Sequence, residues 1–239
     1  MRKILFLIIT VLTISNISCN NNADKLFKIG CYEENGGHIY YNFGSENTEK
    51  QNIELQNANP KQFRILNRNN QSEICTNSDV WAKDSVNVYY KQYQLLGADA
   101  KSFKILSNGY SCDNDKVYFK NIILKNADAR TFKVLTNFYA KDKNKLWFCE
   151  KEVSGITDII NFEVIDGYFS KNKTSVFLNK DTVLQKLEKL DAATFTEFED
   201  TLKKEINLKF YKDKDFIITI NTEKNTGDTD YININASEF

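Results

Sequence analysis

Y-A-K-D-K-N-K-L-W-F, residues 139–148, places an aromatic residue, a charged turn and an aromatic pair within a short stretch. The arrangement recurs as W-A-K-D-S-V-N-V-Y-Y at 81–90 and Y-S-C-D-N-D-K-V-Y-F at 110–119, with starts 29 residues apart. A fourth copy, Y-F-S-K-N-K-T-S-V-F-L, starts at Tyr168 and carries Lys171 in place of the Asp and one extra turn residue. Weaker copies begin at Tyr32 and Phe210. Recurrence at a fixed period marks a repeat architecture, in which a short unit cannot bury its apolar face alone and must pack on its neighbours.

A second landmark recurs between these copies: Asp or Asn followed four residues later by Phe. It occurs as Asn59/Phe63, Asp99/Phe103, Asp128/Phe132, Asp158/Phe162 and Asp191/Phe195. Asp and Asn are favoured caps of a first helical turn, and Phe can pack down at its end. The chain's one proline, Pro60, directly follows Asn59, where proline fits the first helical position. Short runs such as Phe103-Lys104-Ile105-Leu106 and Phe132-Lys133-Val134-Leu135 mix apolar and polar positions like half-buried strands. Each unit therefore reads as a capped turn, a strand, a tight turn and a second strand.

The expected class is mainly β, with α+β left open: stacked β-hairpin repeats of about 29 residues joined by short capped helical turns. Phe195, Phe198, Leu202 and Ile206 fall at helical spacing and predict one longer helix over 194–206. Two strands are expected after it, around 216–220 and 231–234.

The N-terminus reads as an address. Arg2 and Lys3 precede an apolar run over residues 4–14, which is shorter than the roughly 20 residues a spanning helix needs. It has the length of a secretory core, with Ser15 and Ser18 near its end. Asn16-Ile17-Ser18-Cys19 resembles the lipobox of bacterial lipoproteins, although Asn16 stands where that pattern usually has Leu. The resemblance implies that Cys19 is acylated and becomes the mature N-terminus. Two acyl chains would hold the protein stably at a membrane. The expected division is a signal peptide over 1–18, a tether over 19–25 and one repeat domain over 26–239, with repeats clearest over 81–180.

The repeats resemble the DKNYY family, bacterial proteins that are mostly lipoproteins or envelope-associated and of unsettled function. The resemblance rests on Tyr139, Asp142-Lys143-Asn144, Leu146-Trp147-Phe148 and the Asp158/Phe162 turn. The copies at Trp81 and Tyr110, with Gly97-Ala98-Asp99 and Asn126-Ala127-Asp128, match equally well. It implies an exported, membrane-tethered protein on the periplasmic or cell-surface side, and no catalytic residues.

Composition narrows the chemistry. The 32 basic and 32 acidic side chains cancel, which argues against nucleic acid as a partner because phosphate binding needs a basic excess. One histidine, His38, excludes His-rich metal sites and leaves Ser-His or Cys-His catalysis a single base. Asp113/Asp115, Asp142/Asn144 and Asp213/Asp215 look like fragments of calcium loops but lack the loop's Gly and distant Glu, so they read as turn residues. No Gly-rich phosphate loop or G-x-S-x-G elbow is present, and no cofactor is implied.

Cys31, Cys75, Cys112 and Cys149 are even in number and suit two disulfides in an exported chain. Pairings 31–75 and 112–149 close the shorter loops, while buried free thiols are the alternative. Strand alternation predicts that one ring of each pair Tyr89/Tyr90, Tyr118/Phe119 and Trp147/Phe148 faces out. Tyr90, Phe119 and Phe148 would then form an exposed aromatic stripe, a surface for a protein or glycan partner.

Three functions fit these residues. The first is a non-catalytic, lipid-anchored binding module. The second is an envelope hydrolase acting on glycan or peptide, and the third an inhibitor or immunity-type protein.

Overall fold

A computed structural model describes residues 12–14, 31–43, 51–66, 80–136, 138–180, 182–198, 208–221 and 230–238; for 12–14 and 230–238 it describes the backbone path. Every regular element among them is a β-strand, and all pairings are antiparallel. The chain divides into two compact units, one from Cys19–Val134 and Phe138–Glu152, the other mainly from Val153–Phe239.

The repeats are visible, with more strands than the sequence announces. In the Tyr110 repeat the order across the sheet is Ile122–Ile123, Val117–Phe119, Tyr110–Cys112, Lys104–Ile105. The predicted aromatic hairpin is its centre, with Tyr110 opposite Phe119 and Cys112 opposite Val117. Lys104–Ile105, inside the run expected as a strand, forms one edge, and Ile122–Ile123 adds an unexpected second edge, so the unit is a four-stranded meander. Equivalent four-stranded sheets form around Trp81, Tyr139 and Phe169.

The fourth repeat starts at Phe169, not Tyr168. Phe169 lies opposite Leu178 as Tyr139 lies opposite Phe148. Asn172, not Lys171, holds the place of the turn Asp, and the turn has no extra residue. The additional residue lies upstream, in the Gly155-Ile156-Thr157-Asp158 turn, where the earlier repeats have Gly97-Ala98-Asp99 and Asn126-Ala127-Asp128. Asn57, Gly97, Asn126 and Gly155 all have positive φ in these turns, a conformation that Gly and Asn reach most cheaply.

The Asp-to-Phe landmarks are single turns and not helices. The side-chain oxygens of Asn59, Asp99, Asp128 and Asp191 accept the N–H two residues on, at 2.9–3.1 Å, as a cap does. The helix expected over 194–206 is also corrected: Thr196–Phe198 is a strand paired with Leu208–Lys212, and residues 199–207 lie outside the described part. The predicted strands after it run over Phe216–Asn221 and Asp230–Glu238.

Packing between repeats of the larger unit follows one pattern. Phe63 sits 5.0 Å from Tyr32 and 5.8 Å from Tyr89. Phe103 sits 5.5 Å from Trp81 and 6.1 Å from Tyr118. The capped-turn Phe is thus a wedge between the preceding repeat's first aromatic and an aromatic of its own hairpin. Trp81 and Tyr90 share a core with Phe103 and Tyr118 of the following repeat, while Tyr89 joins Ile39, Tyr41 and Leu55 of the preceding one. Each middle sheet is covered on both faces. In the other unit Phe169, Phe195, Tyr211 and Ile220 form the core.

Candidate functional site

The most recurrent polar residue of the repeat is its turn aspartate, whose carboxylate accepts backbone N–H groups both within its own turn and from the capped turn before it. Asp142 Oδ1 accepts the backbone N–H of Asn144 and Lys145, both at 2.7 Å, and Oδ2 accepts that of Asp128 at 2.9 Å. One carboxylate therefore ties the hairpin turn to the capped turn that opens the repeat. Asp84, Asp113 and Asp213 do the same toward Asn59, Asp99 and Asp191, at 2.7–3.1 Å. A second link runs alongside: Ser102, Thr131 and Thr194 hydroxyls accept the N–H of Asn114, Lys143 and Lys214.

Burial of Asp113 pushes its pKa up, but donors from Asp115, Asp99, Lys116 and the Tyr118 hydroxyl outweigh it and hold the carboxyl below its ordinary value. Asp84 is held low in the same way. Burial and the nearby Asp84 charge push Tyr89 up to about 12. These carboxylates are occupied as structural acceptors. Among the described residues no group of three or more His, Cys, Asp or Glu is placed to hold a metal.

A second device joins successive repeats. The Tyr110 hydroxyl donates to Phe138 O at 2.7 Å and Cys149 O at 3.0 Å, at the base of the next hairpin. Tyr32 does the same to Lys91 O at 2.8 Å in the repeat that follows it. Buried Lys83 donates across to Ala100 O at 2.5 Å, and burial followed by the Arg64 charge lowers its pKa.

The aromatic stripe does not exist. Tyr90, Phe119 and Phe148 are only 4%, 3% and 9% exposed. Each packs edge-on or tilted against its cross-strand partner, Trp81, Tyr110 or Tyr139, at 4.7–5.0 Å. Alternation does send Tyr89, Tyr118 and Trp147 to the opposite face, where they are buried as well. The expectation assumed one solvated face per sheet, whereas the repeats pack on both.

Cys112 is a half-buried free thiol, so the 112–149 pairing is corrected. It occupies the place that Lys83, Lys141, Lys171 and Lys212 hold in the other repeats, and burial raises its pKa. Cys149 is buried. Cys19 and Cys75 lie outside the described residues, and of Cys31 only the strand position is described. His38 is exposed on its hairpin, with Nδ1 2.7 Å from Glu54 Oε1. Its neighbours are a surface carboxylate and Tyr40.

Sequence reasoning missed one polar cluster. Asp166 Oδ2 accepts from Lys209 Nζ at 2.7 Å and from the Tyr211 hydroxyl at 2.5 Å, and Oδ1 accepts the N–H of Tyr168 and Phe169. Burial pushes Asp166 up, and those donors reverse it. Its side-chain partners lie more than forty positions away, so no local motif announces it.

The family model of the DKNYY family matches residues 50–152 and 81–221. The chain belongs to that family. No curated protein and no solved structure matches the chain. The turn aspartate and the aromatic pair of this DKNYY protein are accordingly features of its scaffold: one closes the repeat, the other fills the space between repeats.

Proposed function

We propose that this DKNYY protein is a lipid-anchored, non-catalytic binding module of the bacterial envelope, tethered through acylated Cys19 on the periplasmic or cell-surface side. One observation carries the reading: the recurrent motif residues are spent on the scaffold. Asp84, Asp113, Asp142 and Asp213 use both carboxylate oxygens on backbone donors, and the paired aromatics are buried. The leader over residues 1–18 and the lipobox-like Asn16-Ile17-Ser18-Cys19 support the anchor.

Export also supports a disulfide. With Cys112 free and Cys149 buried, Cys149 pairs with Cys31 or Cys75 in this reading. Non-reducing peptide mapping tests it, and an unmodified Cys149 thiol would overturn it.

The test of the whole is the mature N-terminal mass together with membrane fractionation, for wild type and Cys19→Ser. A lipid-sized mass increase on Cys19, and release of the variant from the membrane, are expected. An unmodified N-terminus in a soluble protein would sink the anchor. In the same cells, crosslinking should recover a ligand without loss of covalent bonds in it; turnover of that ligand would overturn the non-catalytic reading.

A further inference from the structure

The fold leaves certain positions free, and in three consecutive repeats those positions are cationic. Counted from the cap residue of each turn, positions two and five are Lys61 and Arg64, Lys101 and Lys104, Arg130 and Lys133. All are exposed, the first of each pair on the capped turn and the second at the start of an edge strand. The same two positions are Ile160 and Glu163 after Asp158, and Ala193 and Thr196 after Asp191. The architecture therefore does not require charge there.

The charge also carries a local cost. Arg64 lies directly opposite Lys83, and Lys133 opposite Lys141. Like charges directly across a strand pair are unfavourable. In the fourth repeat the corresponding pair is Glu163 and Lys171, with a 3.5 Å ion pair. None of the six cations makes an ion pair among the described residues. Residues 101–152 carry eleven Lys and Arg against six Asp and Glu, and two of those acids, Asp113 and Asp142, are buried in their turns.

The same Phe wedge recurs at successive junctions, so equivalent side chains follow one another in a file. We propose that this file binds a linear acidic polysaccharide, with the paired cations of successive repeats meeting successive carboxylates. The inference rests on the binding-module reading and names its ligand class. Arg and Lys suit carboxylates, and Arg engages them with two parallel hydrogen bonds.

The surroundings favour a polymer over a membrane. A lipid surface is held by cations and apolar side chains on one face. Here the strands bearing Arg64 and Lys104 are one edge of their sheets, and exposed Tyr93 and Ile122 sit on the opposite edge. Single-stranded nucleic acid needs aromatic platforms beside the cations, and the repeat aromatics are buried.

The test uses the full chain with Cys19→Ser, so that anchoring plays no part, and titrates it with polygalacturonate. Dextran serves as the uncharged control, and poly-L-glutamate and phosphatidylglycerol vesicles as competing anions. Binding that weakens with salt is expected for polygalacturonate alone. The variant Lys101→Glu/Lys104→Glu/Arg130→Glu/Lys133→Glu should lose at least about tenfold in affinity, while Lys186→Glu/Lys189→Glu in the other unit keeps it. If the charge-reversed form fails to fold by circular dichroism, the same four positions changed to Gln are read instead. Undiminished binding by the folded variant would overturn the proposal. So would equal binding to vesicles or poly-L-glutamate, or no binding to polygalacturonate. Because the anchor is absent, failure here leaves the N-terminal mass result standing on its own.

Discussion

The Asp142 turn and the Asn172 turn are the same structure with one atom exchanged. In both, Oδ1 accepts the backbone N–H groups two and three residues on: Asn144 and Lys145 in one, Thr174 and Ser175 in the other. In Asp142 the second oxygen also accepts the Asp128 N–H. Asn172 has an NH2 group at that position, a donor, and cannot accept. The hairpin turn therefore needs one oxygen, and closing the repeat onto its capped turn needs two. Asp213 restores the second link in the following repeat, to Asp191 N–H at 2.7 Å.

Breaking the comparison at its stronger end should have the largest effect. Asp142→Ala strips three backbone donors of their acceptor in a buried turn and should cost about 3 kcal/mol, read as a fall in the urea midpoint. A loss no greater than that of an exposed surface substitution would show that the turn holds itself. Tyr110→Phe removes the hydroxyl that bridges Phe138 O and Cys149 O and keeps the ring; about 1–1.5 kcal/mol should be lost. Trp81, at the equivalent place, has no hydroxyl to lose, so the contrast separates the bridge from ring packing.

Asn172→Asp sharpens the comparison from the other side. Supplying the missing oxygen beside Lys173 should raise stability by about 1 kcal/mol. A destabilised variant would mean that this repeat is closed by other means. The smallest effect is on pH dependence. Asp113 is depressed below 3.8 when folded, so its contribution is complete above the unfolded carboxylate value. It is lost as pH falls through the depressed one. Asp113→Asn should accordingly show a shallower fall in urea midpoint between about pH 5 and pH 2 than the parent. Equal slopes would exclude Asp113 from acid unfolding.

The central hairpins, their turns and the capped turns with their Phe wedges were legible because each is decided by neighbours in sequence. So was one edge strand of each unit, Lys104–Ile105 and Lys133–Val134, inside the runs that mix apolar and polar positions. The opposite edge was not: Ile122–Ile123 is two residues long, too short for any periodicity to register. The helical spacing of Phe195 and Phe198 misled because both rings are drawn into a β unit, Phe195 against Tyr211 and Phe198 against Phe210. Counting four residues from Tyr168 rather than Phe169 misplaced Lys171 onto the turn. The paired cations are also legible, two and five residues after the capping residues Asn59, Asp99 and Asp128.

By itself the sequence determined the repeat, its period and the identity of its turns, since Asp, Asn and Gly act on the backbone within three or four residues. Only tertiary structure decided what is inside. Packing on both faces buried the rings of Tyr90, Phe119 and Phe148 that alternation alone would have left in water. It also brought Asp166 to Lys209 and Tyr211. Burial and alignment depend on which surfaces meet, and no local pattern specifies that.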